Sequence, residues 1–259
     1  MNIALLRQEL QRQIQPKPPT MMRLAGVFPH GGLAAGTHQV APAAAGDEAA
    51  SLAFAAALVV RALVAQPKAR ALLVQSAEAA RESGWAYGAG LQALGLDPDR
   101  LAVVGVRSGA EALRVIDEAL KSGSVTAVLA DLWDEPRLDL SATRRFNLAC
   151  TRTGALAILV TRGLGGTSAA LTRWIVAARP SLNRRRRLQR PTFNLHLIRN
   201  RMGPTGEWTV EWDSHDRVFR TPATLPLLAP RPAADRPAAA QPAPGWGQER
   251  PQAGGERAA

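Results

Sequence analysis

Between residues 37 and 160 the chain alternates short apolar segments with longer amphipathic ones, and that rhythm leaves few folds open. Residues 71–75 (ALLVQ), 101–106 (LAVVGV), 125–130 (VTAVLA) and 156–160 (LAILV) are apolar runs of strand length, and residues 37–40 add a short one after Gly31, Gly32 and Gly36. Between them lie stretches of helical period: residues 47–65, rich in Ala and Leu, then 86–94, ended at Gly95. Residues 109–121 place Ala112, Val115, Ile116 and Ala119 on one face, and residues 141–152 open with Ser141 as an N-cap. A strand apolar on both faces needs cover on both, so the pattern predicts an α/β fold with a mostly parallel central sheet and helices on both faces.

The rhythm changes after residue 170. Residues 173–178 (RWIVAA), 193–198 (FNLHLI) and 207–212 (EWTVEW) read as strands, and residues 202–206 between the last two contain Gly-Pro-Thr-Gly. A turn of that composition between alternating strands predicts an antiparallel C-terminal edge hairpin. The alternation also assigns Trp174, Phe193, Trp208 and Trp212 to a sheet core rather than a base-stacking platform. Trp85 and Trp133 read as core or rim residues.

Three regions follow. Residues 1–20 read as an N-terminal amphipathic helix and Pro linker, with Ile3, Leu6, Leu10 and Ile14 at helical spacing before Pro16, Pro18 and Pro19. Residues 21–221 form the core domain. Residues 222–259 are a Pro/Ala-rich tail expected to be disordered, because it has too little apolar surface to offset its ordering entropy. The longest apolar run, residues 52–60, is about half of what a spanning helix needs, so no membrane partner is expected. The first fifteen residues do not read as a secretory signal. A single cysteine, Cys150, excludes an internal disulfide framework, and the chain reads as cytoplasmic. Cys150 sits mid-helix among apolar neighbours and reads as a core residue.

The formal charge is +11, and residues 141–221 carry fifteen basic and four acidic side chains, so all of that excess lies in one stretch. Its centre is Arg184, Arg185, Arg186, Arg187 and Arg190, with Arg199 and Arg201 at the far end of the next strand. Clustered Arg suits phosphate-backbone contact with DNA, or an acidic protein partner, or simply a solvated loop. His30, His38, His196 and His215 are scattered, so no metal-ligand spacing exists and no cofactor is expected.

Residues 36–50 (GTHQVAPAAAGDEAA) join a strand to a helix, the context of a Walker A phosphate loop. On that pattern Ala41 takes the place of the first Gly and Gly46 keeps the second. Asp47 then stands for the phosphate-binding Lys, and Glu48 for the Ser/Thr that would hold magnesium. An Asp there repels phosphate, at roughly 4 kcal/mol per charge pair at 4 Å near a protein surface. Two acids at a helix N-terminus also satisfy the dipole that would attract phosphate. No ATPase activity is expected. A lone Gly46 leaves open that no phosphate loop ever existed here.

The flanking residues bear on that choice. The run GGLAAGTHQVAPAAAGDEAA resembles the RecA recombinase family around its Walker A loop, and LLVQSAEAA resembles the family's second strand. That makes Glu78 the counterpart of the catalytic glutamate. YGAGLQALGLDPDRLAVVGVRSGAEALRVIDEALKSGSVTAVLADL continues the similarity and ends at Asp131 in the Walker B position. The likeness spans residues 25–212. It departs in the missing Lys and hydroxyl, in a short segment between residues 160 and 167 where RecA has a DNA-binding loop, and in the low-complexity tail.

Those departures resemble the ImuA family, RecA-like proteins without ATPase signatures, as do YGAGLQALGLDPDRL, SGAEALRVIDEALKSG, TRWIVAARPS and LIRNRMGPTGEWTVEW. The resemblance implies a non-catalytic accessory role in SOS-induced mutagenic translesion synthesis and DNA repair. It implies binding to the polymerase-like protein ImuB, with RecA itself, an error-prone replicative-type polymerase and DNA as further candidate partners. The N-terminal helix matches in position the element RecA uses on its neighbour, which makes Ile3, Leu6 and Leu10 candidate contacts. The alternative is a SulA-like inhibitor of cell division, which shares the degenerate RecA-like layout.

Overall fold

The computed structural model describes residues 33–64, 66–133, 138–180 and 190–222. The expected N-terminal helix with Ile3, Leu6 and Leu10, the Arg184–Arg187 run and the tail from residue 223 lie outside the described residues.

The order of elements is β1 (Gly36–Pro42), α1 (Glu48–Val64), β2 (Ala71–Ser76), α2 (Ala77–Ser83), α3 (Gly88–Ala93), β3 (Leu101–Val106), α4 (Gly109–Ser122), β4 (Ala127–Trp133), α5 (Leu140–Thr153), β5 (Leu156–Thr161), β6 (Thr172–Arg179), β7 (Thr192–Asn200), β8 (Gly206–Asp213) and β9 (Val218–Arg220). They build one sheet in the order β3-β2-β4-β5-β1-β6-β7-β8-β9. Pairing is parallel from β3 through β6 and antiparallel from β6 onward. The mixed sheet matches the sequence pattern.

Alternate residues of the buried strands feed two cores. Leu73, Leu129, Ile158 and Val40 face α1, whereas Leu72, Val74, Val128, Ala130 and Leu159 face α4 and α5 through Ile116 and Phe146. This is why β2 and β5 carry no exposed position. Over the antiparallel half, Phe54 of α1 lies 5.6 Å from Trp174, 6.0 Å from Phe193 and 5.6 Å from Phe219, between ring centroids. Trp212 is fully buried against Phe219. Cys150 is fully buried on α5, and burial pushes its thiol up to about 12. It is a packing residue, as expected.

Four local features differ from expectation. Helix α5 is capped by Asp139, whose Oδ1 accepts from the Ala142 amide at 2.8 Å, and Ser141 lies inside it. The stronger acceptor, placed two residues earlier, starts the helix. The helix expected over 86–94 is only Gly88–Ala93, and α2 precedes it, capped by Ser76. The chain between them bends at Trp85 and is pinned by Gln75, which donates to the Gly84 carbonyl at 2.9 Å and accepts from the Ala86 amide at 2.9 Å. The strand expected over 125–130 runs Ala127–Trp133, and β9 extends the sheet beyond the expected hairpin. One buried polar chain also runs through β1. His38 is fully buried; its Nε2 donates to the Ala34 carbonyl at 2.9 Å, and its Nδ1 meets Thr172 Oγ1 at 2.7 Å. That hydroxyl also accepts from Trp174 Nε1 at 2.7 Å.

Candidate functional site

The C-terminal ends of β1, β4 and β5 lie side by side, the crevice where open α/β sheets place their ligands. The turn from β1 into α1 closes one side of it. Ala41 does not belong to that turn: it is buried in β1 and paired with Ile175 of β6, so the sequence alignment that gave it a loop position is corrected. The turn proper is five residues, 43–47, and Gly46 takes φ +99°, a conformation that favours glycine.

Both acids of the turn bend back onto it. Asp47 stands at the Ncap position, its carbonyl accepting from the Ser51 amide at 2.9 Å. Its carboxylate does not cap the helix. Oδ2 accepts from the Ala44 amide at 3.2 Å, and Oδ1 reaches across to the Ala178 amide of β6 at 2.8 Å. Glu48 Oε2 accepts from the Gly46 amide at 2.7 Å. Amides of a strand-to-helix turn are the groups a phosphate loop aims at its ligand. Here two of them hold the chain's own carboxylates.

Asp131, which the sequence resemblance set in the Walker B position, ends up in the same crevice. It is 7% exposed, and its Oδ2 accepts from Gln75 Nε2 at 3.0 Å. Burial pushes its carboxyl above the ordinary carboxylate range, and the Gln75 hydrogen bond offsets part of that. Glu48 and Asp131 line a cavity of about 240 Å³ together with Pro42, Trp85, Trp133 and Arg162. Glu78 is in the first turn of α2 and is not part of that lining. Sequence reasoning missed Gln75, Trp85, Trp133 and Arg162 as site residues. The available signal was position: Gln75, Trp133 and Arg162 sit at or just after the ends of β2, β4 and β5.

The basic residues separate into two groups at opposite ends of β7, about 25 Å apart at strand rise. Arg190 is committed within the fold, pairing with Glu211 at 3.0 Å and Asp213 at 2.8 Å. At the other end Arg199 and Arg201 both donate to the Ser168 carbonyl, at 3.1 and 3.4 Å. Arg173, which the sequence reading did not single out, joins them, donating to the carbonyls of Leu164 at 2.6 Å and Gly165 at 3.1 Å. Burial, aided by the Arg199 charge, lowers the Arg173 pKa. Among the described residues none of these three guanidiniums pairs with a carboxylate, and no group of His, Cys, Asp and Glu is arranged to hold a metal. No helix of the described residues is long and apolar enough to cross a membrane.

The sheet order, the crevice and the turn define a mixed α/β domain in which the turn after β1, read in sequence as a degenerate phosphate loop, carries carboxylates in place of Lys and Ser/Thr. No family model matches the sequence. Protein ImuA of Caulobacter vibrioides, from strains NA1000 / CB15N and ATCC 19089 / CIP 103742 / CB 15, is 33% identical over 206 residues, covering 72% of this chain and 79% of that protein. The chain belongs to the ImuA family. Among solved structures, SulA from Pseudomonas aeruginosa overlays with a TM-score of 0.39 at 20% identity, covering 49% of this chain and 98% of that one. An overlay that loose carries no argument about function.

Proposed function

We propose that this protein is a catalytically silent accessory factor of the DNA damage-induced mutagenesis system, working in translesion synthesis by binding other proteins. Its direct partner in this reading is ImuB, with RecA and the error-prone replicative-type polymerase as further contacts. The observation that supports reading the protein without ATPase activity is the turn at residues 43–47. The amides of Ala44 and Gly46 already hold carboxylates, and neither a Lys nor a hydroxyl stands where phosphate and magnesium would need them. Family membership supports the damage-response setting.

DNA contact is the finer part of the reading. It is supported by Arg173, Arg199 and Arg201, three guanidiniums without a carboxylate among the described residues, a composition that favours phosphate. Arg190 does not support it, since Glu211 and Asp213 already neutralise that side chain.

The test is affinity purification from DNA-damaged cells, comparing the full chain with a version lacking residues 1–15. Recovery of a polymerase-like partner with the full chain, and its loss with the truncation, is the expected result. The division-inhibitor alternative wins if no such partner is recovered and overproduction alone makes cells filament.

A further inference from the structure

The crevice has a second property, independent of the turn that closes it. Its cavity, about 240 Å³, falls below the ~300–1,000 Å³ of sites that enclose whole cofactors or drug-sized ligands. It suits one side chain. Its charged lining is mostly acidic, with Glu48 and Asp131 against Arg162, and its walls are aromatic, with Trp85, Tyr87 and Trp133.

We propose that this cavity binds an arginine side chain presented by a partner protein, Glu48 and Asp131 taking the guanidinium and the indoles of Trp133 and Trp85 covering its plane. The proposal rests on the accessory-factor reading only for the source of the arginine.

Asp131 is the principal observation. The residue is more than nine-tenths buried; Oδ2 accepts one hydrogen bond, from the neutral amide of Gln75, while Oδ1 accepts none among the described residues and is not fully enclosed. A buried carboxylate without a cation is costly, and burial raises its pKa accordingly. An ionised carboxylate is an acceptor only and takes a guanidinium's donors two at a time, which is the capacity left open here. One guanidinium of the chain already lies over an indole of this lining. Arg162 lies with Cζ 5.3 Å from the centre of the Trp133 ring, and it pairs with no carboxylate among the described residues. Trp133 itself takes φ +58°, rare for an aromatic residue, at a register shift in the β4–β5 pairing, with its carbonyl fixed by the Arg162 amide at 2.7 Å. Such strain persists where the surroundings over-determine it and clusters at ligand sites.

The rim explains why the arginine belongs to a protein. Trp85 is 58% exposed and Tyr87 76% exposed at the cavity mouth, large apolar surfaces of the kind enriched where proteins dock. Arginine is favoured over lysine because its flat guanidinium both stacks on indole and pairs bidentately with carboxylate.

The test uses the full chain labelled with nitrogen-15, following the tryptophan indole signals while adding N-acetyl-arginine amide, N-acetyl-citrulline amide or magnesium-ATP. Citrulline has the shape of arginine without its charge. Saturable binding of the arginine probe in the ~mM range, with none for citrulline, is expected for a single side chain. Asp131→Asn keeps the acceptor for Gln75, and Glu48→Gln keeps the one for Gly46. Each should weaken the probe roughly fivefold to tenfold, and Arg162→Gln, which removes the resident competitor, should tighten it. If either acidic variant fails to fold, the other and Arg162→Gln carry the test. Equal binding of citrulline, no saturation, or acidic variants without effect would overturn the proposal and leave the accessory-factor reading standing. Saturation by magnesium-ATP instead would overturn both.

Discussion

Asp47→Ala isolates what the turn carboxylate does. The substitution removes acceptors from the Ala178 amide at 2.8 Å and the Ala44 amide at 3.2 Å, and removes a negative charge from the N-terminus of α1. Hydrogen bonds to a charged group contribute about 1.5–3 kcal/mol each, and these, being exposed, belong at or below the low end. Charge at a helix N-terminus adds about 0.3–1 kcal/mol. Allowing for water that replaces the carboxylate, the net loss should be about 2 kcal/mol, or roughly 4–8 °C in melting temperature for a domain of this size. Asp47→Asn keeps one acceptor oxygen and should lose about half as much. Urea and thermal unfolding at pH 7, in low and high salt, read both values. Asp47→Ala within about 0.5 kcal/mol of the parent, the range of an uninvolved surface change, would refute the role given to the carboxylate.

His38 is held neutral by burial, its pKa lowered from the ordinary 6.5 to about 4. The unfolded chain therefore binds a proton first as pH falls, and stability should drop by about 3 kcal/mol between pH 6.5 and pH 4, levelling below that. Urea titrations across that window should show the drop, and a folded His38→Gln variant should lack it. Phe54→Ala, at the centre of the aromatic cluster over the antiparallel strands, should cost about 3–5 kcal/mol by denaturant unfolding. Replacing Arg199 and Arg201 by Gln should reduce single-stranded DNA binding uniformly across sequences and flatten its salt dependence, read by fluorescence anisotropy, while Arg190→Gln should chiefly destabilise the fold by leaving buried Asp213 with Arg220 as its one remaining guanidinium partner among the described residues.

The parallel part of the sheet was legible because β1, β2, β4 and β5 are buried on both faces, and unbroken apolar runs such as residues 156–160 announce that directly, although the same kind of run in β3 lies at the edge with Val103 exposed. The alternation of β7 and β8 was legible because only one face of each is buried, which spaces their core residues two apart. What escaped were features set by side chains meeting across the fold. Nothing local marks Gln75 as the clamp on the chain after α2, since it reaches Gly84 and Ala86 across the turn of that helix, whereas Asp139 was a local signal competing with Ser141 for the same cap. The substitution of Asp47 and Glu48 was readable in sequence, but only the geometry showed their carboxylates turned onto Ala44, Gly46 and Ala178 rather than onto their own helix. The basic stretch misled in part, because composition could not separate Arg190, neutralised across β8, from Arg199 and Arg201, which share a carbonyl with no acid nearby. Arg162 over Trp133 had no sequence signal beyond its place at a strand end.

The proposal that this α/β fold works without nucleotide chemistry is tested most directly by calorimetric titration of the full chain with magnesium-ATP, paired with melting at ~1 mM ligand. The expected result is no saturable heat and an unchanged melting temperature. A micromolar site would stabilise the fold by about 4 kcal/mol at that concentration, and a melting rise of the corresponding size would contradict the claim.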